Sequence, residues 1–158
     1  MRQSAVLLCF LVTACGHVTA SDPGKVPSPQ AARPAPTLVT LPTGASAVRR
    51  LSDVVGEWRV AGTSHGALSQ PFGIAASIRD GRIRFVSQCI TLAWNLDLSN
   101  GRVVTRTVDN AVPNCARVLT LDEVMVHKAM SAATNAYRLP SGVLVFSGPG
   151  GEVILFTQ

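Results

Sequence analysis

Two dipeptides, Asp80-Gly81 and Asn100-Gly101, constrain this chain more than any other feature. Each lies between runs that alternate apolar and polar residues. A tight hairpin turn of type I′ needs positive φ at both central residues, and Asp-Gly and Asn-Gly accept that at least cost. Before the first turn, Phe72 to Ile78 reads as a strand. After it, Arg82 to Val86 puts Ile83 and Phe85 on one face and Arg82 and Arg84 on the other. Thr91 to Leu98 gathers Leu92, Trp94, Leu96 and Leu98 on one face. Arg102 to Val108 returns from the second turn with Arg102 and Arg106 on its even-numbered face. The middle of the chain is therefore a meander with an apolar inner face and an arginine-bearing outer face.

The flanking segments extend this pattern. Val54 to Val60, with Trp58, reads as an opening strand. The period changes at Thr120-Leu121-Asp122-Glu123, which spells a capping box: a threonine cap followed three residues later by glutamate. A helix over Leu121–Ala133 follows, with Leu121, Val124, Met125, Ala129, Ala132 and Ala136 on its apolar stripe. Tyr137–Leu139, Val143–Phe146 and Glu152–Phe156 read as closing strands. The fold class is α+β, mainly β. Seven to eight antiparallel strands form a small curled sheet or half-barrel, with one helix inserted after the fifth strand to cover its opening. Trp58 and Trp94 belong to its interior; the other reading has them line an apolar ligand cavity.

The N-terminus carries an address. Arg2 precedes an apolar run, Ala5 to Val12, which has the form of a secretory signal. That run is shorter than the roughly 20 residues a membrane span needs. Val12-Thr13-Ala14-Cys15 at its end resembles a bacterial lipobox, in which the cysteine is acylated and becomes the new N-terminus. Residues 1–14 are then a lipoprotein signal peptide and Cys15 the lipid anchor. Residues 15–50 are a semi-rigid spacer containing Pro23, Pro27, Pro29, Pro34, Pro36 and Pro42, and 51–158 the folded domain. The alternative is an ordinary signal cleaved after Ala14 or Ala20. Gly16 rather than aspartate follows Cys15, which points to the outer membrane, facing the periplasm. The expected partners are the membrane, through the anchor, and an envelope protein.

This address sorts the four cysteines. Cys9 lies in the signal and Cys15 is the acyl acceptor, leaving Cys89 and Cys115. In an oxidising compartment such a pair forms a disulfide. The alternatives are two buried thiols or a metal pair, and no histidine lies between the two to support the latter. The chain has 14 basic and 9 acidic residues, a formal charge of +5. Outside the cytosol that balance suits anionic headgroups, cell-wall polymers or an acidic protein rather than nucleic acid. Arg82, Arg84, Arg102 and Arg106 are the candidate surface contacts; the competing reading is that strand arginines merely discourage edge pairing. No Gly-x-Ser-x-Gly elbow is expected, no serine has a recognisable base partner, and neither Cys-x-x-Cys nor paired-histidine spacing occurs. No catalytic residue, metal or cofactor is expected.

An ordered set of segments resembles the META domain, the family that includes HslJ-type lipoproteins. Gly56-Glu57-Trp58-Arg59-Val60 is similar to that family's opening strand of Gly-x-Trp-x-apolar type. Ser87-Gln88-Cys89 stands where the family often has Gly-Cys-Asn, with Gln88 and Ile90 as departures. Asn114-Cys115 stands at its second cysteine, and Asp122 and Glu123 supply the acid that opens its helix. The closing strands match its final hairpin, so the likeness covers about residues 51–158. The resemblance implies a β-rich domain wrapped around one helix, an envelope location and no known catalysis. It also implies a loose link to envelope stress. Two other functions fit such a domain: a periplasmic inhibitor of a lysozyme or protease, and a chaperone like the secretin pilots.

Overall fold

Both dipeptides turn as their chemistry requires. Asp80 and Gly81 have φ of 51° and 70°, and Asn100 and Gly101 have 50° and 78°. These values come from a computed structural model that describes residues 41–108 and 115–157. The expected signal peptide, the expected anchor Cys15 and the expected spacer as far as residue 40 lie outside the described residues.

The described chain runs β1 (Ser46–Ala47), a 3₁₀ turn (Leu51–Asp53), β2 (Gly56–Thr63), β3 (Gly66–Ala67), β4 (Ala75–Arg79), β5 (Arg82–Ser87), β6 (Ile90–Ser99) and β7 (Arg102–Thr107). Then follow α1 (Leu121–Ser131), β8 (Asn135–Arg138), β9 (Leu144–Gly148) and β10 (Gly151–Thr157). Every pairing is antiparallel. β2, β4, β5, β6, β7, β8, β9 and β10 neighbour one another in that order, and β10 returns to pair with β2. The curled sheet therefore closes into an eight-stranded barrel, with β1 and β3 as short additions. The helix enters after the fifth barrel strand, as the sequence suggests.

Period-two alternation places the core. Ile83 and Phe85 from β5, Leu92, Trp94, Leu96 and Leu98 from β6, and Trp58 and Val60 from β2 are all buried inside the barrel. Trp94 and Phe85 meet edge to face with centroids 5.9 Å apart, a geometry that suits the ring quadrupoles. Trp58 lies against Val54 O, to which its indole donates at 2.9 Å, and Arg138 stacks 5.2 Å from its ring. Both tryptophans are thus core residues.

Two expectations change. Residues 45–50, read as the end of the spacer, join the fold. Ser46 and Ala47 pair with Arg138 and Tyr137, Val48 is buried, and Arg50 bridges Ser99. They do so because β7 and β8 touch at one register pair only, Arg102 and Asn135, and the gap above it needs backbone partners. The helix is also turned from the expected stripe. Leu121 and Val124 are 63% and 40% exposed, while Asp122, Glu123, Val126, Ala129 and Met130 face inward. The two carboxylates point in because donors await them there. On its other side α1 lies against the backbone of β9 and β10. A Cβ on Gly148 or Gly150 would collide with the carbonyls of Ala132 and Lys128.

Candidate functional site

The outer wall of β4–β7 carries the expected arginines. Register puts Arg79 opposite Arg82, Arg82 opposite Asn95, and Asn95 opposite Arg106. Side chains on one face of neighbouring strands lie about 5 Å apart, so these four form a continuous row across the barrel. Arg84 stands on the same face opposite Ser77. Arg102 lies near the end of the β6–β7 hairpin, opposite Ser99. Arg79 pairs with Glu57. Two others donate to uncharged groups: Arg82 Nε to Asn95 Oδ1 at 3.2 Å, and Arg84 Nη2 to Thr91 Oγ1 at 3.4 Å. Among the described residues no carboxylate pairs with Arg82, Arg84, Arg102 or Arg106. Ser77, Arg79, Asp80, Arg82 and Arg84 line an open depression of about 530 Å³. The structure thus joins Arg82, Arg84 and Arg106 in one wall and leaves Arg102 toward its end.

A second polar assembly sits at the start of α1. Thr120 caps the helix: its hydroxyl accepts the Glu123 N–H at 3.3 Å, and Glu123 Oε2 accepts the Thr120 N–H at 2.7 Å. Arg117 grips the same carboxylate in a fork, Nη1 to Oε2 at 2.8 Å and Nη2 to Oε1 at 2.6 Å. Its Nη2 also reaches Ser87 O at 3.3 Å, and its guanidinium lies 5.6 Å from the Phe72 ring. Asp122 Oδ2 accepts the Ser69 N–H, the Ser69 hydroxyl and the Gln70 N–H at 2.9–3.0 Å. Gln70 takes the Thr120 hydroxyl at 2.6 Å. Burial by itself pushes the Glu123 carboxyl up. The Arg117 fork, the Thr120 N–H, the Ser87 hydroxyl and the Arg117 charge outweigh it and hold the group at about 2. The hydrogen bonds to Glu123, with its charge, raise the Arg117 guanidinium above its ordinary value against the opposing effect of burial.

Cys89 and Cys115 form the expected disulfide beside this assembly, with Cα atoms 5.5 Å apart. The bridge ties the β5–β6 turn to the segment leading into α1. Gln88 in that turn has a φ of 53°, a left-handed backbone that costs a non-glycine residue about 1 kcal/mol. Together, disulfide, fork and Asp122 clasp the helix start to two loops. Each of these charges has a partner, so the assembly is built to hold α1.

One pattern escaped the sequence reading. Gly62-Thr63-Ser64-His65-Gly66 spells Gly-x-Ser-x-Gly, the form of a hydrolase nucleophile elbow. An elbow needs a strand-to-helix turn. Here the five residues form the β2–β3 hairpin tip, and the Ser64 hydroxyl accepts the Glu152 N–H at 3.3 Å. His65 is exposed and makes a backbone bond to Thr63 Oγ1. Close by, Tyr137 donates to Glu152 Oε1 at 3.3 Å; burial first, then the Glu152 charge, push its phenol up. His127 lies elsewhere, its ring 5.6 Å from Trp94. Of the two described histidines, only His127 has a ring contact. No group of three or more His, Cys, Asp or Glu side chains converges on a metal-sized site among the described residues. No described helix is long and apolar enough to cross a membrane. No family model, curated protein or solved structure matches the chain.

Proposed function

We propose that this chain is a non-catalytic, lipid-anchored protein of the bacterial envelope that works by contact. Its META-like barrel presents the arginine wall to an anionic envelope surface. The observation that supports this reading is the row Arg79, Arg82, Asn95 and Arg106 with Arg84 beside it. In that row Arg79 and Arg82 stand directly opposite, a like-charge arrangement that costs stability, and among the described residues only Arg79 has an ion pair. Cationic side chains near an anionic leaflet contribute about 1 kcal/mol each. Three or four would add a second attachment to the acyl anchor on Cys15. The envelope location rests on the signal-like N-terminus, and a part in envelope stress on the family resemblance.

The test has two arms. Metabolic labelling with a palmitate analogue should tag the chain, and Cys15→Ala should abolish the tag. Labelling that persists in the variant would end the lipoprotein reading. In the second arm the purified chain is sedimented with vesicles of phosphatidylglycerol or of phosphatidylcholine. Binding to the former alone, lost in the Arg82→Gln/Arg84→Gln/Arg106→Gln variant and in high salt, is the expected result. Equal binding to both would refute a role for the wall.

A further inference from the structure

Among the described residues the barrel strands pair with both neighbours, but β7 does so over only part of its length. β7 pairs with β6 over its whole length, from Ser99 opposite Arg102 to Trp94 opposite Thr107. On its other side the last ladder bond runs from Val103 N–H to Thr134 O, at 2.9 Å. Successive residues of an antiparallel strand turn their backbone groups to opposite sides. Arg102 flanks a two-residue turn, so Arg102, Val104 and Arg106 face β6. Val103, Thr105 and Thr107 face away. Val108 N–H, bonded to Ala93 O at 3.0 Å, keeps the alternation. Among the described residues nothing pairs with the outward backbone of Thr105 or Thr107.

Across the gap stands α1, not a strand. Thr105 Oγ1 donates to Met130 O at 2.7 Å. Trp94, the register partner of Thr107, packs 5.6 Å from the His127 ring and donates to Ser131 Oγ at 3.3 Å. Val124, His127 and Ser131 recur at i, i+3 and i+7, so they share the helix face beside this gap, and all three are exposed. A helix satisfies its own backbone and cannot complete a ladder. Among the described residues, the outward backbone of Thr105 and Thr107 thus lies unpaired beside a partly apolar helix face.

We infer that the Thr105–Thr107 edge of β7 docks an extended segment of another polypeptide by strand addition. Main-chain bonds to Thr105 and Thr107 would supply affinity, and alternate side chains would supply specificity. The chemistry of the partner follows from the two faces of β7. Arg102 and Arg106 point outward, exposed and without a carboxylate partner among the described residues. A ninth strand sets every second side chain on the face of Arg106, and those are acidic; beside Arg102 that place is already held by Asn135. The intervening side chains turn toward Val124 and the helix and are apolar. The partner is a segment that alternates acidic and apolar residues. This inference does not depend on the anchor or on the membrane contact proposed above.

Hydrogen exchange on the purified full-length chain tests it. In the free protein the Thr105 and Thr107 amides should exchange at least about 100-fold faster than those of Val104 and Arg106, which bond to β6. An acetylated octapeptide of alternating valine and glutamate, at about 1 mM, should slow both by tenfold or more. The same peptide N-methylated on its pairing edge should leave them fast, and Arg106→Gln should weaken the protection several-fold. Four results would overturn the inference. They are amides already slow in the free chain, no protection by the peptide, equal protection by a valine–lysine peptide, and protection that grows with protein concentration alone. The last would assign the edge to a second copy of the chain.

Discussion

Arg117 and Arg82 are the same residue in opposite circumstances. Arg117 forks onto a carboxylate that is fully buried, stacks near an aromatic ring and touches a carbonyl of a neighbouring turn. Arg82 stands in the open, facing another arginine across the ladder and an asparagine on its far side. The clasp at the helix start satisfies its charges from within. The wall leaves its charges for something outside. Buried charge must be paired or it destabilises the fold, whereas exposed charge is nearly neutral for stability. The contrast therefore separates architecture from function. Substitutions in the clasp should unfold the protein without a specific effect on binding, and substitutions in the wall should do the reverse.

The largest effect is expected at Glu123. Glu123→Ala removes the carboxylate from Arg117, from the Thr120 N–H and from the helix start together. Breaking one side of a buried pair costs about 3–5 kcal/mol, which would show as a large fall in the urea midpoint. A loss under about 1 kcal/mol, typical of an exposed pair, would erase the distinction between clasp and wall. Next comes the disulfide. In the chain-entropy model a loop spanning 26 residues contributes about 3.5 kcal/mol. The Cys89→Ser/Cys115→Ser variant should lose an amount of that order while still sedimenting with phosphatidylglycerol vesicles. Loss of vesicle binding in a variant that remains folded would couple the two regions.

Acid probes the same clasp without mutation. The folded Glu123 carboxyl lies at about 2, below its ordinary 4.5. A depressed carboxyl contributes its stabilisation fully above the unfolded value and loses it as pH falls through the folded one. The loss should begin near pH 4.5 and be complete near pH 2. The difference corresponds to roughly 3 kcal/mol. Urea unfolding from pH 5 to pH 2 should show that slope in the native chain and a flatter one in Glu123→Gln. An unchanged slope would place the acid-sensitive group elsewhere.

The same contrast explains what the sequence made legible. The wall was readable because its signals are local. Asp80-Gly81 and Asn100-Gly101 set the registers, and period-two alternation then sends Arg82, Arg84 and Arg106 outward. The clasp was only half readable. The capping box placed Thr120 and Glu123 correctly. Nothing nearby announced that Asp122 would find its donors at Ser69 and Gln70, more than 50 residues away. Leu121 and Val124 therefore looked like the inner stripe when the acids were. Arg117 gave no signal because its role exists only once α1 is docked. The barrel seam was hidden for a related reason: Ser46 and Ala47 have no strand pattern of their own and pair because β8 offers an edge. A Gly-x-Ser-x-Gly string at a hairpin tip shows the converse, a motif without its fold context.

The smallest effect is the most discriminating. Arg82 faces Arg79 directly across β4 and β5, and like charges so placed repel. Its hydrogen bond to Asn95 is exposed at 3.2 Å, and such bonds exchange with water at little net cost. Arg82→Gln keeps the length and a donor while removing the repulsion. The expected change in stability is therefore within about 0.5 kcal/mol, with the sign toward a gain. In high salt the gain should vanish, since screening already relieves the exposed pair. Binding to phosphatidylglycerol vesicles should weaken in the same variant. Stability and binding moving in opposite directions is the signature of a charge kept for contact rather than for folding. A destabilisation above about 1 kcal/mol would instead make Arg82 structural, and the wall would then differ from the clasp only in degree.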